Sequence, residues 1–392
     1  MRFITDLDVK GKLVFLRVDF NVPLDEKGEI RDDTRIRASL PTIRYLLDHG
    51  ARLVIASHLG RPKGKPDPKM SLAPAAKRLS ELIPNRVIMA PDVVGDEITR
   101  LKRGLAEGEA LLLENVRFYK EEEANDPGFS RKLAEDIDIF VNDAFGSSHR
   151  AHASVVGIAE FVKVKATGYL MKKEVEYLRK VVHTPEKPYV AILGGAKVSD
   201  KIEIIESLLN KADHILIGGA MAYTFLKAQG LGVGKSLAED DQKATALAIL
   251  SKAREKKVDF RLPVDHVLAA AADAGAASQT VESLPFPENM MGVDIGPKTI
   301  EDYSRIIKGA KTIFWNGPMG IFEIEPFAMG TVKVAQAVAA SGAVSIVGGG
   351  DSIAAVKKAG VKDKISHIST GGGASLEYIA YESLPGIDAL EK

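Results

Sequence analysis

Lys197 and Lys201 stand four residues apart in GGAKVSDK (194–201), directly after the apolar run YVAIL (189–193). An apolar run broken by glycines is how a buried strand hands over to a helix. A glycine turn there exposes backbone N–H groups and the positive end of the helix dipole, which together suit a phosphate. The spacing of Ile202, Ile205, Leu208 and Leu209 predicts a helix over 198–209. Lys197 would then open the helix and Lys201 lie one turn along, both facing one anion. The dipole disfavours cations at that end, so a bound anion gives the pair its reason.

Four further strand-like runs in the same half end in glycine: Gly218-Gly219, Gly317-Pro318-Met319-Gly320, Gly348-Gly349-Gly350 and Gly371-Gly372-Gly373. One such loop is ordinary turn chemistry. Five in one half point to nucleotide phosphates. In SIVGGGDSIAAVKKAG the pattern predicts strand, glycines, Asp351, then Ser352 as N-cap of a helix.

The other half ends its strands differently. Arg35, His58, Arg61, Arg117, His149, Arg150 and His152 fall at or near strand ends, with Asp19 and Asn21 after the first. Arginine forks match carboxylate and phosphate geometry, so jointly these residues suggest a site for a small, strongly anionic substrate. Spacing does not separate Arg35 from Arg37, and one of the two is expected to be structural.

The elements behind these residues alternate apolar or β-branched runs with helical patterns along almost the whole chain. That is the signature of parallel strands buried on both faces. Ligands in such sheets bind beyond the carboxyl ends of the strands. At 392 residues the chain exceeds what one core normally supports, so two α/β domains with a deep cleft between them are expected. The expected segments are 1–170, 171–379 and a 380–392 tail. The charged amphipathic stretch 171–182, followed by a proline-flanked link at 183–188, reads as a semi-rigid connector helix.

Composition removes several classes. Lys+Arg and Asp+Glu are both 53, so no global charge argues for nucleic acid. Cysteine is absent, which excludes disulfides and thiolate chemistry and favours the cytosol. Neither a signal peptide nor a membrane span is expected. GxGxxG and HExxH do not occur, and QGLGVGKS (229–236) lacks the first glycine of a Walker loop. A nicotinamide-dependent dehydrogenase is thereby disfavoured. A hinged anion-binding protein without catalysis would leave Lys197, Asp351 and the glycine loops unexplained.

RVDFNVP (17–23), SHLGRPKG (57–64), LLLENVRFYKEEEAND (111–126), VNDAFGSSHRAHAS (141–154), GGAKVSDKI (194–202), FWNGPMGIFE (314–323), VGGGDS (347–352) and STGGGASLE (369–377) resemble the signatures of the phosphoglycerate kinase family, in its order and spacing. The departures are mild: Ser147-Ser148 stands where Thr-Ala is commoner, and Ser352 where Thr is also frequent.

The resemblance implies a two-lobed, hinge-bending, cytoplasmic monomer that moves a phosphoryl group between MgATP and 3-phosphoglycerate, giving ADP and 1,3-bisphosphoglycerate. It implies that Asp19, Asn21, Arg35, His58, Arg61, Arg117 and Arg150 hold phosphoglycerate. Gly195, Lys201, Gly292, Glu323, Gly349, Gly350, Asp351 and Ser352 would hold nucleotide, with Asp351 near Mg2+ and Glu323 on the ribose. Arg35, Lys197, Gly371, Gly372 and Gly373 would meet the moving group. Hinges are expected at the connector and around 369–373, and the tail would return to the first domain.

Overall fold

A computed structural model describes residues 1–282 and 285–391. Ser283, Leu284 and Lys392, which fall in the expected 171–379 and 380–392 segments, lie outside the described residues. Internal packing divides the chain into two units: Met1–Glu176 with the chain from Ser383 onward, and Tyr177–Glu382. These divisions fall inside a helix and just beyond another, against the 170/171 and 379/380 positions named from the sequence.

The first unit holds a six-stranded sheet of β1 (Leu13–Arg17), β2 (Arg52–Ala56), β3 (Val87–Met89), β4 (Ala110–Leu112), β5 (Ile139–Asn142) and β6 (Val164–Thr167). Its order is β3-β4-β2-β1-β5-β6, with every pair parallel. The first two strands and the fifth are buried almost throughout, which is why they read as unbroken apolar runs. Helices α1 (Thr34–Asp48), α2 (Ala73–Leu82), α3 (Asp96–Gly104), α4 (Lys120–Glu123) and α5 (Pro127–Ala134) connect them. Separate apolar clusters, one around Val14, Leu16 and Leu53 and one around Phe15, Val54 and Phe140, carry the alternate strand faces.

Helix α6 (Tyr169–Val182) covers the charged amphipathic stretch read from the sequence. Its first N–H groups are satisfied from the first unit: Tyr169 N donates to Thr42 Oγ1 at 2.9 Å and Met171 N to Asp143 Oδ1 at 2.9 Å. Burial pushes the Asp143 carboxyl up to about 6, against the lowering effect of hydrogen bonds from the Thr42 hydroxyl and the Met171 and Leu170 N–H groups.

The second unit holds β7 (Tyr189–Leu193), β8 (His214–Ile217), β9 (Asp259–Arg261), β10 (His266–Ala269), β11 (Ser278–Val281), β12 (Met291–Ile295), β13 (Thr312–Asn316), β14 (Val344–Gly348) and β15 (His367–Ile368). Its main sheet runs β15-β14-β13-β7-β8-β9, all parallel. Helices α7 (Ile202–Leu208), α8 (Met221–Ala228), α9 (Lys243–Glu255), α10 (Pro297–Gly309), α11 (Met329–Ala340), α12 (Gly350–Lys358) and α13 (Gly373–Tyr381) accompany it. A separate antiparallel sheet, β11-β10-β12, was not read from the sequence. β11 is SQTV, exposed along most of its length, and gives no apolar run to read. The last helix among the described residues is α14 (Pro385–Glu391), packed in the first unit, where Gly386 N donates to Ser148 O at 2.8 Å.

Candidate functional site

In the first unit the strand order reverses at β1, flanked by β2 and β5, so the loops leaving these strands open where α/β sheets take ligands. Asp19 and Asn21 follow β1, His58 and Arg61 follow β2, and Arg117 follows β4. Side-chain bonds to backbone lock these loops together. Ser57 Oγ accepts from Phe20 N at 2.8 Å, Asn21 Oδ1 from Gly60 N at 2.9 Å, and Arg117 donates to Gly60 O at 3.0 Å. Asn115 donates to Leu59 O and Met70 O, tying β4's exit to β2's.

Arg35, from the first turn of α1, forms an ion pair with Asp19. Burial pushes the Asp19 carboxyl up, but its surroundings, Arg35, the Asn21 N–H and Arg17 among them, outweigh it and hold the group below its ordinary value. Burial and the nearby Arg17 bring Arg117 down to about 10. The same two causes, with burial larger and Arg117 also acting, press His58 well below the ordinary imidazole value. Arg61 and Arg150 are exposed, Arg150 donating to His149 at 3.1 Å. Arg37, the other arginine of the pair on α1, bonds Asp33, which also accepts from Arg78. These charges line an open hollow of about 810 Å³ that includes none of the expected site residues.

In the second unit the order reverses between β7 and β13, the strands whose exits are Gly194-Gly195 and Gly317-Pro318. The two exits lie against each other. Gly194 N donates to Asn316 O at 2.9 Å and Gly195 N to Pro318 O at 3.1 Å. A β-carbon on Gly194 would fall 2.0 Å from Pro318 O, so only glycine fits.

Around this reversal lies a largely apolar pocket of about 270 Å³. Gly195, Gly292, Glu323 and Asp351 line it together with Tyr223, Leu237 and Met319. Four expected nucleotide residues, drawn from β7's exit, β12, the loop after β13 and α12, are thus brought to one hollow. Gly349, Lys201 and Ser352 gather beside it through Asn316 and Gly317: Lys201 Nζ bonds Asn316 Oδ1, a β-carbon on Gly349 would fall 2.6 Å from Asn316 Nδ2, and Gly317 N donates to Ser352 Oγ at 2.6 Å. Burial lowers the Lys201 ammonium's pKa, and Asp200 and Asp351 act against that. Lys197, Gly371, Gly372 and Gly373 do not line the pocket.

Two local expectations are corrected. The helix after the lysines begins at Ile202, not Val198, so Lys197 lies on an exposed loop and Lys201 is the N-cap. The intervening residues form a turn, with Lys201 N on Val198 O at 2.8 Å and Ser199 held by Glu239. Ser352 lies inside α12 rather than capping it. Gly349, at φ +92°, is the N-cap, because the chain turns there in a conformation that favours glycine.

Sequence reasoning missed Arg17, Glu122, Ser154 and Asn316. Arg17 carries a visible signal: a charge within the apolar strand KLVFLRV, where nothing but a buried partner justifies it. Asn316 resembled an ordinary strand-end residue. Among the described residues, no group of three His, Cys, Asp or Glu side chains could hold a metal ion, and no helix is long and apolar enough to cross a membrane.

A family model described as phosphoglycerate kinase matches residues 4–382. A phosphoglycerate kinase of Anaeromyxobacter dehalogenans is 57% identical over 394 residues, covering all of both chains. One of Acidobacterium capsulatum is 60% identical over 396 residues, covering 99% of this chain and 98% of its own. Of solved structures, the phosphoglycerate kinase of Coxiella burnetii aligns with TM-score 0.92 at 42% identity over 99% of this chain and 98% of its own. That of Pyrococcus horikoshii aligns with TM-score 0.81 at 36% identity, over 100% and 98%.

Proposed function

The chain belongs to the phosphoglycerate kinase family, and from that premise we propose how its residues divide the reaction. ATP and 3-phosphoglycerate exchange a phosphoryl group, giving ADP and 1,3-bisphosphoglycerate. The first unit's Asp19, Asn21, Arg35, His58, Arg61, Arg117 and Arg150 hold phosphoglycerate. The second unit's Gly195, Lys201, Gly292, Glu323, Gly349, Gly350, Asp351 and Ser352 hold nucleotide. The observation that supports this division most is the pocket shared by Gly195, Gly292, Glu323 and Asp351, whose apolar wall suits a base and whose rim carries glycine amides.

The acceptor is a carboxylate, ionised at neutral pH with an ordinary pKa of about 4, so no general base is needed. What remains is alignment and offsetting of charge on the equatorial oxygens of the transferring group. Lys197 and Arg35 supply cations, and Gly371, Gly372 and Gly373 supply amides at the start of α13. Asp351, an exposed carboxylate in the first turn of α12, fits a Mg2+ ion held mainly by phosphate oxygens and water. When bound, that ion neutralises phosphate charge.

The donors belong to different units, so the cycle includes a closing motion that excludes water. Every proposed ligand comes from one chain, so a monomer suffices. A glycolytic step acting on small, soluble substrates supports a cytoplasmic setting. Calorimetric titration tests the division. Lys201→Ala should weaken ATP binding and spare 3-phosphoglycerate binding, and Arg117→Ala should do the reverse. Loss of both ligands in either variant would contradict the division.

A further inference from the structure

A charged residue at the end of a central strand needs a reason, and Arg17 closes β1 fully buried. Its guanidinium spends its donors inside the protein. Nε donates to Ser154 Oγ at 2.8 Å, Nη1 to Val18 O, and Nη2 lies 3.2 Å from His58 Nδ1. Ser154 passes the charge on: its Oγ donates to Glu122 Oε1 at 2.6 Å and its N–H to Glu122 Oε2 at 2.9 Å. Glu122 is itself fully buried. The buried cation and anion are thus bridged by one serine, and the arginine's remaining arm is aimed at one imidazole nitrogen.

A guanidinium only donates, so the nitrogen it faces must carry a lone pair. We propose that Arg17, fixed by Ser154 and Glu122, is a positioning residue that holds His58 as the neutral tautomer protonated at Nε2. His58 then enters phosphoglycerate recognition as a hydrogen-bond donor to an oxygen, neither as a cation nor as a proton acceptor. That ligand role rests on the assignment of phosphoglycerate to the first unit. The tautomer itself does not.

The surroundings agree. The charges acting on His58 are Arg17 from β1, Asp19 after it, Arg35 from α1 and Arg117 after β4, and the ring is nearly wholly buried. Burial is the largest influence and favours the neutral ring. Three arginines reinforce it against the single carboxylate of Asp19. Arg17 and Arg117 already supply buried positive charge, so a third cation at His58 would be costly.

The test is long-range proton–nitrogen correlation on full-length protein labelled with 15N-histidine, the His58 signal being assigned by its loss in His58→Gln. A pyridine-type Nδ1 and a pyrrole-type Nε2, unchanged from neutral pH to about pH 5, are expected. A protonated Nδ1, alone or in an imidazolium, would overturn the proposal without any further variant. Arg17→Met keeps the length and removes the donor. His58 should then show mixed tautomers, with KM for 3-phosphoglycerate raised at least about tenfold and KM for ATP unmoved. Arg17→Lys should restore the pyridine-type Nδ1 signal. A His58 spectrum unmoved in folded Arg17→Met would also overturn it. Wild-type protein with the expected tautomer but no affinity for 3-phosphoglycerate would instead sink the substrate assignment.

Discussion

Lys197 lies exposed on its loop, with no hydrogen bond or ion pair among the described residues, whereas Lys201 is half-buried and engaged with Asn316. That contrast assigns different consequences to removing each. Lys197→Ala should lower kcat by about 10²–10³, the scale of losing one donor to a developing charge, and leave ATP affinity nearly intact. Stopped-flow turnover beside calorimetric Kd separates the two; a Kd that worsens as much as kcat falls would make Lys197 a ground-state ligand. His266 carries a different prediction at this scale. Wedged against Tyr223 and Phe286, it is pushed by burial down to about 4. Its folded value is below its unfolded value of about 6.5, so below that pH the unfolded chain takes up a proton that the folded one refuses. Stability is therefore lost on acidification, by up to about 1.4 kcal/mol per pH unit from this group between about 6.5 and 4. Urea unfolding of His266→Phe at both ends of that window should show a shallower loss than wild type. Parallel losses in the two proteins would remove His266 from the account.

At the scale of elements, the glycine exits of β7 and β13 decide whether the pocket exists. Gly194→Ala should destabilise by about 1–3 kcal/mol through overpacking against Pro318 and weaken nucleotide binding with it. Differential calorimetry with and without ATP reads both effects, and an alanine variant as stable as wild type would mean the two exits can part freely. Most of this scale was legible beforehand. The buried strands announced themselves as apolar runs, and the five glycine clusters marked the exits. What escaped detection did so for physical reasons. β11 is polar and exposed, so its pairing with β10 leaves no pattern in sequence. The start of α7 is set by Glu239, forty positions downstream, which captures Ser199 into a turn. Local periodicity registers no such distant partner. Ser352, with good capping chemistry, bonds Gly317 instead because a glycine at positive φ takes the cap. The Arg17–Ser154–Glu122 bridge joins three separate motifs, and only the fold brings them together.

For the whole molecule, the proposed transfer draws on residues of both units during turnover. Small-angle scattering should show a smaller radius of gyration with both substrates bound than with either alone; profiles that superimpose would leave the closing motion without support. Coupled measurement of ADP formation from ATP tests the central claim most directly. ADP should appear only when 3-phosphoglycerate is added, and the Lys197→Ala protein should lose nearly all of that dependent rate while still binding ATP. ADP formed at the same rate without 3-phosphoglycerate, or full activity in the variant, would contradict it.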